Sequence, residues 1–145
     1  MQDRSFRFSH AITRAPSRSV LYGLRAHDIG PPDLAQMQAH HQHYIEILRQ
    51  TGAQVVELPA LEPYPDAVFV EDTALCLREV AVLMRSGAQS RAGEVGQIAP
   101  VLRGLYDQVL EISGSGFIEG GDILTTEREI LIGLSARTNQ AGVDE

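Results

Sequence analysis

The sequence predicts an α/β fold assembled from a repeated unit, and two observations carry that expectation. The runs Gln54–Leu58 (QVVEL) and 108–112 (QVLEI) are near copies, and each follows a stretch with helical periodicity. Each then leads into an acid-bearing run, 69–72 (FVED) and 117–122 (FIEGGD), a return strand and a polar Ser/Arg turn. Glu71 and Glu119 sit 48 residues apart in the two series, which suggests analogous positions. A unit of this kind cannot bury its own apolar face, so at least ~3 are normally stacked or closed on one another.

Taken in order, 8–14 (FSHAITR) predicts a first strand, ended by Ala15 and Pro16, with Ser17, Arg18 and Tyr22-Gly23-Leu24 in the loop that follows. Pro31-Pro32-Asp33 opens a helix, because Leu34, Met37, His41, Tyr44, Ile45 and Leu48 recur at three- and four-residue spacing. Gly52 supplies the residue expected just past its end. Gln54–Leu58 is a strand stopped by Pro59. The runs 67–77 (AVFVEDTALCL) and 79–84 (EVAVLM) read as two strands joined by a tight turn near Arg78 and Glu79. Ser90 and Glu94, close to capping-box spacing, predict a second helix to about Tyr106, with Pro100 removing a hydrogen bond or kinking it. After the strand 108–112, the runs 117–124 and 129–134 form another strand pair, and 135–139 (SARTN) starts a third helix. Two units are complete, and the expectation is a single incomplete domain over 1–145, the N-terminal part of something longer.

Composition narrows the function. A hydrophobic share of 43% with 21% charged residues is ordinary for a globular chain. No run approaches the ~18 consecutive apolar residues of a membrane span, and Met1 to Arg7 leads into no apolar signal segment. With a single cysteine, Cys76, no intramolecular disulfide can form, and the expected location is the cytoplasm. The net charge of −7 without a basic face argues against nucleic acid and toward a small cationic partner. Every basic residue is arginine, which excludes lysine Schiff-base chemistry and a phosphate-loop lysine.

The candidate chemistry lies in the acids. In an extended strand Val68, Val70, Asp72, Ala74 and Cys76 share one face, where a carboxylate needs a cation or hydrogen bonds. Asp66, Glu71 and Glu119 raise the same question. Carboxylates from successive strands suit a planar guanidinium, whose fork of donors meets them bidentately. The protein's own Arg85, Arg91 or Arg137 would satisfy them equally well as internal ion pairs, and the pattern leaves both readings open. Gly120 and Gly121 permit close backbone approach to a ligand, or a bulge. Cys76, in an apolar run, reads as a buried inert thiol. His40, His41 and His43 read as helix residues rather than metal ligands, and His10 and His27 stand in no motif. No metal or cofactor is expected.

The motifs VFVED at 68–72, GFIEGGD at 116–122 and SARTN at 135–139, with Tyr64-Pro65-Asp66 and Ser90-Arg91, make the chain resemble the dimethylarginine dimethylaminohydrolases from Phe8 onward. Arginine deiminase, agmatine deiminase and the amidinotransferases are weaker relatives by the same residues. The resemblance implies a pentein-like α/β propeller of five units, of which about two to two and a half ββαβ units are present. It implies that Asp72 and Glu119 grip the substrate guanidinium and that Arg91 and Arg137 bind its carboxylate. Asp66 would lie near the amino end, Glu71 beside Asp72 in the substrate site, and Leu24 in a lid. The implied reaction hydrolyses dimethylarginine to citrulline and an alkylamine through a cysteine thiolate and a proton-shuttling histidine. Both of those residues belong to later units, so the expectation is that this chain lacks them and is inactive alone. Two other readings stand beside it: an arginine-binding or self-associating module with exposed strand edges, and an arginine or agmatine deiminase-like hydrolase. Arg91 and Arg137 argue against agmatine, which offers no carboxylate.

Overall fold

A computed structural model describes residues 8–145. Their contacts divide into two units, Phe8–Val70 and Glu71–Glu145.

In the first unit, β1 (His10–Arg14) and β2 (Gln54–Leu58) pair in parallel, with Ala11 opposite Val55 and Thr13 opposite Glu57. Parallel strands need a long crossover, and α1 (Leu34–Gln50) supplies it. The expected helix signals operate: the Asp33 carboxylate accepts from the Gln36 N–H at 3.0 Å, and Gly52 has φ +91°, open to glycine at little cost. The inward stripe is Leu34, Met37, His41, Ile45 and Leu48, with Ile45 1% exposed. Tyr44, included in the stripe by sequence, faces outward. A 3-10 turn, Arg18–Tyr22, has the Glu62 carboxylate at its start, accepting from the N–H groups of Arg18 and Ser19 at 2.9 and 3.1 Å.

In the second unit, β3 (Ala74–Cys76), β4 (Ala81–Leu83) and β5 (Val109–Glu111) form one sheet, with β3 antiparallel and β5 parallel to β4. The crossover between β4 and β5 is α2 (Glu94–Leu105), which runs through Pro100. Ala81, Leu83, Met84, Ile98, Ala99, Leu102 and Ile118 are buried, and full burial of each large side chain contributes about 1.5–3 kcal/mol. A second hairpin pairs β6 (Ile123–Thr125) with β7 (Ile130–Ile132), and α3 (Gln140–Asp144) follows. Its cap is Asn139, which accepts from the Gly142 N–H at 2.9 Å.

The repeat is real, and its register is 49 residues. The Met84 N–H donates to the Thr73 carbonyl at 2.9 Å, and Gly133 does the same to Asp122 at 2.8 Å. Leu77 closes the first hairpin on Val80, and Thr126 closes the second on Glu129. Ser86 Oγ accepts from the N–H two residues on, and Ser135 Oγ repeats the bond. At this register Asp72 matches Gly121, Glu71 matches Gly120 and Glu119 matches Val70, so Glu71 and Glu119 are not equivalent as their 48-residue spacing suggested.

Three local expectations are corrected. The acidic runs are not strand interiors: Val70–Thr73 and Gly120–Asp122 are 3-10 turns leading into β3 and β6, so residues 68–76 have no common strand face. The cause is a close backbone approach, since a Cβ on Gly120 would lie 2.0 Å from the Glu71 carbonyl oxygen. Ser90 and Glu94 form no capping box; Gln89–Arg91 is a 3-10 turn, α2 begins on Gly93 without a side-chain cap, and Glu94 turns to Arg91 instead. Third, 135–138 is a polar turn, and the last helix starts after Asn139.

Gly120→Ala is expected to destabilise the chain by about 1–3 kcal/mol, since backbone must move to admit the methyl group. Gly96→Ala, in α2 with open space around it, should instead stabilise by up to about 1 kcal/mol. Urea denaturation of both variants decides, and equal effects would contradict the tight crossing of the two turns.

Candidate functional site

The second unit draws four carboxylates and two guanidinium groups onto its polar turns. Asp72 comes from the turn before β3, Glu119 and Asp122 from the turn before β6, Glu94 from the start of α2, Arg91 from the turn preceding α2, and Arg137 from the turn after β7.

Arg91 is locked. Its Nε lies 3.0 and 3.1 Å from the two Glu94 oxygens, its Nη2 donates to Glu94 Oε2 at 2.7 Å, and its Nη1 donates to Asp72 Oδ2. The Arg91 and Glu94 side chains are each 3% exposed, and that of Asp72 12%. Burial pulls the Arg91 guanidinium down, but its hydrogen bonds to Glu94 and Asp72 outweigh burial and hold it above its ordinary value. The second Asp72 oxygen accepts from the Gly121 N–H at 3.0 Å, tying the two repeat-equivalent turns together. Asp72, Thr73, Met84, Ser86, Arg91, Ala92 and Val95 line a small pocket beside this cluster.

Glu119 is held differently. The residue is 1% exposed, Ser86 Oγ donates to its Oε1, and its N–H donates to Thr138 Oγ1 at 3.2 Å. Oε2 receives no hydrogen bond among the described residues. Arg137 Nε stands 3.2 Å from it as an ion pair without hydrogen-bond alignment, and the Arg137 side chain is 47% exposed. Thr138 is wholly buried and donates to Asp122 Oδ2 at 2.6 Å, where Ser135 Oγ also donates at 2.7 Å. Those two bonds, Thr138 first, hold the Asp122 carboxyl below its ordinary value; burial opposes them and Arg137 adds to them.

Asp72, Glu119, Arg91 and Arg137 are thus all placed by the polar turns of one unit, each acid beside one of the chain's own arginines. Glu71 is exposed. Asp66 and Leu24 meet in the first unit, where the buried Asp66 carboxylate accepts from the Leu24 N–H at 3.0 and 3.2 Å while the Leu24 side chain stays exposed. Sequence reasoning missed Glu94, Ser86, Thr138 and Asp122 as working parts; the Arg-x-x-Glu spacing of 91 and 94 was the available signal for the first. Cys76 is exposed at the end of β3, against the expected full burial. Desolvation nonetheless pushes its thiol up, with a Tyr106 hydrogen bond opposing, which keeps it a poor nucleophile. His43 lies 3.7 Å from Glu46 on the surface of α1, and desolvation lowers the His41 imidazole with Glu57 opposing. Among the described residues no group of three or more His, Cys, Asp or Glu is placed to hold a metal ion, and no helix is long and apolar enough to cross a membrane.

Removing Glu94 strands a buried cation, so Glu94→Ala is expected to destabilise by about 3–5 kcal/mol. Arg49→Ala, which breaks the exposed pair with Glu57, should change stability by less than about 1 kcal/mol; similar losses in thermal denaturation would refute the ranking. For Asp122 the folded carboxyl titrates below its unfolded value. Its contribution is therefore present above the unfolded pKa and is lost as pH falls through the folded one. Thr138→Val removes the leading cause, so the loss of stability on acidification should be smaller and should end closer to the ordinary 3.8. At neutral pH the same change leaves the Glu119 N–H without its acceptor and should cost about 1–3 kcal/mol. Denaturation curves from pH 7 down to pH 3 test both, and an unmoved acid limb would remove Thr138 from this role.

No family model matches the sequence. Over 136 residues the chain is 40% identical to the N(G),N(G)-dimethylarginine dimethylaminohydrolase of Pseudomonas aeruginosa, covering 93% of this chain and 54% of that protein. The enzyme of the same name from Streptomyces coelicolor is 32% identical over 136 residues, 93% of this chain and 53% of its own length. A solved structure of the Pseudomonas aeruginosa enzyme, a substituted form complexed with citrulline, superposes with a TM-score of 0.93 at 39% identity, covering 96% of this chain and 55% of that one. The chain spans about half the length of the curated relatives it matches. With this sequence identity and an α/β fold of the same pentein type, the chain is a relative of the dimethylarginine dimethylaminohydrolases over the half of their length that it spans.

Proposed function

We propose that this chain supplies the guanidinium-gripping part of an enzyme that hydrolyses dimethylarginine to citrulline and dimethylamine. The observation that carries the reading is Glu119: a carboxylate 1% exposed whose Oε2 lies beside a guanidinium and receives no hydrogen bond among the described residues. A carboxylate so desolvated needs a cation, and a planar one with several donors suits it best. Asp72 is the second such group, and charge-assisted bonds from both would hold a substrate guanidinium in plane for attack at its carbon.

On this reading Arg137 takes the ligand's carboxylate. The resemblance gives Arg91 the same task, but its full commitment to Glu94 and Asp72 supports a narrower one, that of fixing Asp72 in place. Asp66 and Leu24 keep the amino-end and lid assignments of the family as proposals, and Glu71 keeps its place in the substrate site on the same terms. The nucleophilic cysteine and the proton-carrying histidine come from further sequence, and the enzyme works in the cytoplasm. Water enters, one carbon–nitrogen bond of the guanidinium breaks, and the alkylamine leaves with the proton the histidine returns.

A binding or self-associating role without chemistry is favoured by one feature, the exposed Leu124, Leu131 and Leu134 on and after the β6–β7 hairpin. Calorimetric titration of the chain with L-arginine and asymmetric dimethylarginine, with a citrulline assay alongside, separates the readings. Glu119→Gln is expected to weaken binding by at least about tenfold, since a charge-assisted bond contributes roughly 1.5–3 kcal/mol. Undiminished binding by that variant would end the assignment, and citrulline released by the isolated chain would overturn the division of labour between its residues and the rest of the enzyme.

A further inference from the structure

We infer that Arg137 is an exchangeable stopper on Glu119: a ligand guanidinium displaces it, and the freed side chain then receives the ligand's carboxylate. The inference rests on the guanidinium-binding reading of Glu119 and adds how that site is kept filled before the ligand arrives.

The two arginines beside the acids differ in the way exchange requires. Arg91 donates from Nε, Nη1 and Nη2 with its side chain 3% exposed, so moving it breaks several charge-assisted bonds. Arg137 Nε stands 3.2 Å from Glu119 Oε2 without hydrogen-bond alignment, and 47% of its side chain faces solvent. Its backbone is pinned, because the Arg137 N–H donates to Ser135 Oγ at 2.9 Å. The side chain can therefore leave while its root stays. Glu119 cannot follow it, since Ser86 holds Oε1 and Thr138 accepts from the Glu119 N–H.

Displacement by water would strand a buried carboxylate and is opposed by desolvation. Displacement by another guanidinium is not, because one cation replaces another at Oε2. A ligand that also carries a carboxylate restores a partner to Arg137, so an arginine-like zwitterion repairs both halves of the broken pair. A guanidinium lacking the carboxylate repairs only one. The stopper thus discriminates twice: it competes with every cation, and it compensates only those that bring their own anion.

This makes Arg137 a specificity-determining residue whose removal favours one ligand class over the other. Arg137→Ala removes the competitor, so methylguanidinium should bind tighter, by about tenfold if the stopper occupies Glu119 about nine-tenths of the time. L-Arginine should gain less than methylguanidinium or lose affinity, because its carboxylate has lost a partner. Arg137→Met, which keeps the length and drops the charge, should behave alike and covers the case in which the alanine variant folds poorly. In the unsubstituted chain, nitrogen-15 NMR should show the Arg137 Nε–H signal moving to a solvated position as methylguanidinium is added. Methylguanidinium binding that is equal or weaker in both variants, or an Nε–H signal that ignores bound ligand, overturns the exchange. If Glu119→Gln abolishes binding while neither Arg137 variant improves it, only the exchange falls. No binding of either ligand by any of these chains defeats both the exchange and the guanidinium reading.

Discussion

A carboxylate removed from water must be met by a cation or by enough donors to replace its hydration, and the second unit is organised around that requirement. Glu94 and Glu119 are 3% and 1% exposed, and each lies against an arginine. The turns that carry these acids, their spacing and the small or hydroxyl residues around them all follow from bringing carboxylates and guanidinium groups to one place. The two solutions differ in rigidity. Around Arg91 both carboxylate partners are largely buried and hydrogen-bonded; around Glu119 one oxygen accepts a hydrogen bond from Ser86 and the other is left to an ion contact. A buried pair satisfied on all sides fixes structure, and a partly satisfied one is the less rigid of the two.

The repeat explains how two different solutions arise from one template. The hairpin bonds and the serine turns recur at a constant 49-residue register, so the backbone frame is the same in both. Within it, Asp72 and Gly121 occupy equivalent places and are bonded to each other, the glycine N–H donating to the aspartate. An acid at both places would set two carboxylates against one another; a glycine at one supplies a donor and lets the turns cross closely. Glu119 then arises one step away from the Glu71 alignment, at the place where the first series has Val70. Two acids from copies of one unit therefore occupy non-equivalent places in the frame.

Much of this was legible in the residues. β2 has the predicted bounds of Gln54–Leu58, α1 starts on Asp33 and is closed by Gly52, and both hairpins turn where polar residues interrupt the apolar runs. These features depend on local rules of capping, periodicity and turn chemistry. What failed depends on distant neighbours. Phe69-Val70 and Phe117-Ile118 have strand composition, yet the acids beside them sit in 3-10 turns, because the backbone at Gly120 crowds the Glu71 carbonyl. Ser90 and Glu94 look like a capping box until the Arg91 guanidinium, already buried, captures the glutamate. The choice between ligand carboxylates and internal ion pairs was open in the sequence for the same reason. The geometry gives Glu119 an internal partner, Arg137, that is poorly bonded and half in solvent.

The charge count of the cluster bears on which ligands such a site accepts. Asp72, Glu94, Glu119 and Asp122 carry four negative charges against the two positive ones of Arg91 and Arg137, an excess in keeping with the −7 of the whole chain. That excess draws cations in from a distance, within the roughly 8–10 Å over which salt leaves such fields unscreened. Attraction alone would favour the most highly charged cation available. A zwitterion exchanging with Arg137 leaves the charge at Glu119 unchanged and moves one ion pair outward into solvent, so no buried charge is stranded at the end of the exchange. Long-range attraction and short-range compensation therefore select on different properties, net positive charge for approach and a matched anion for retention. On the proposed reading an arginine derivative has both, and a buried glutamate whose second oxygen has a cation beside it without hydrogen-bond alignment is the feature through which the second selection would act.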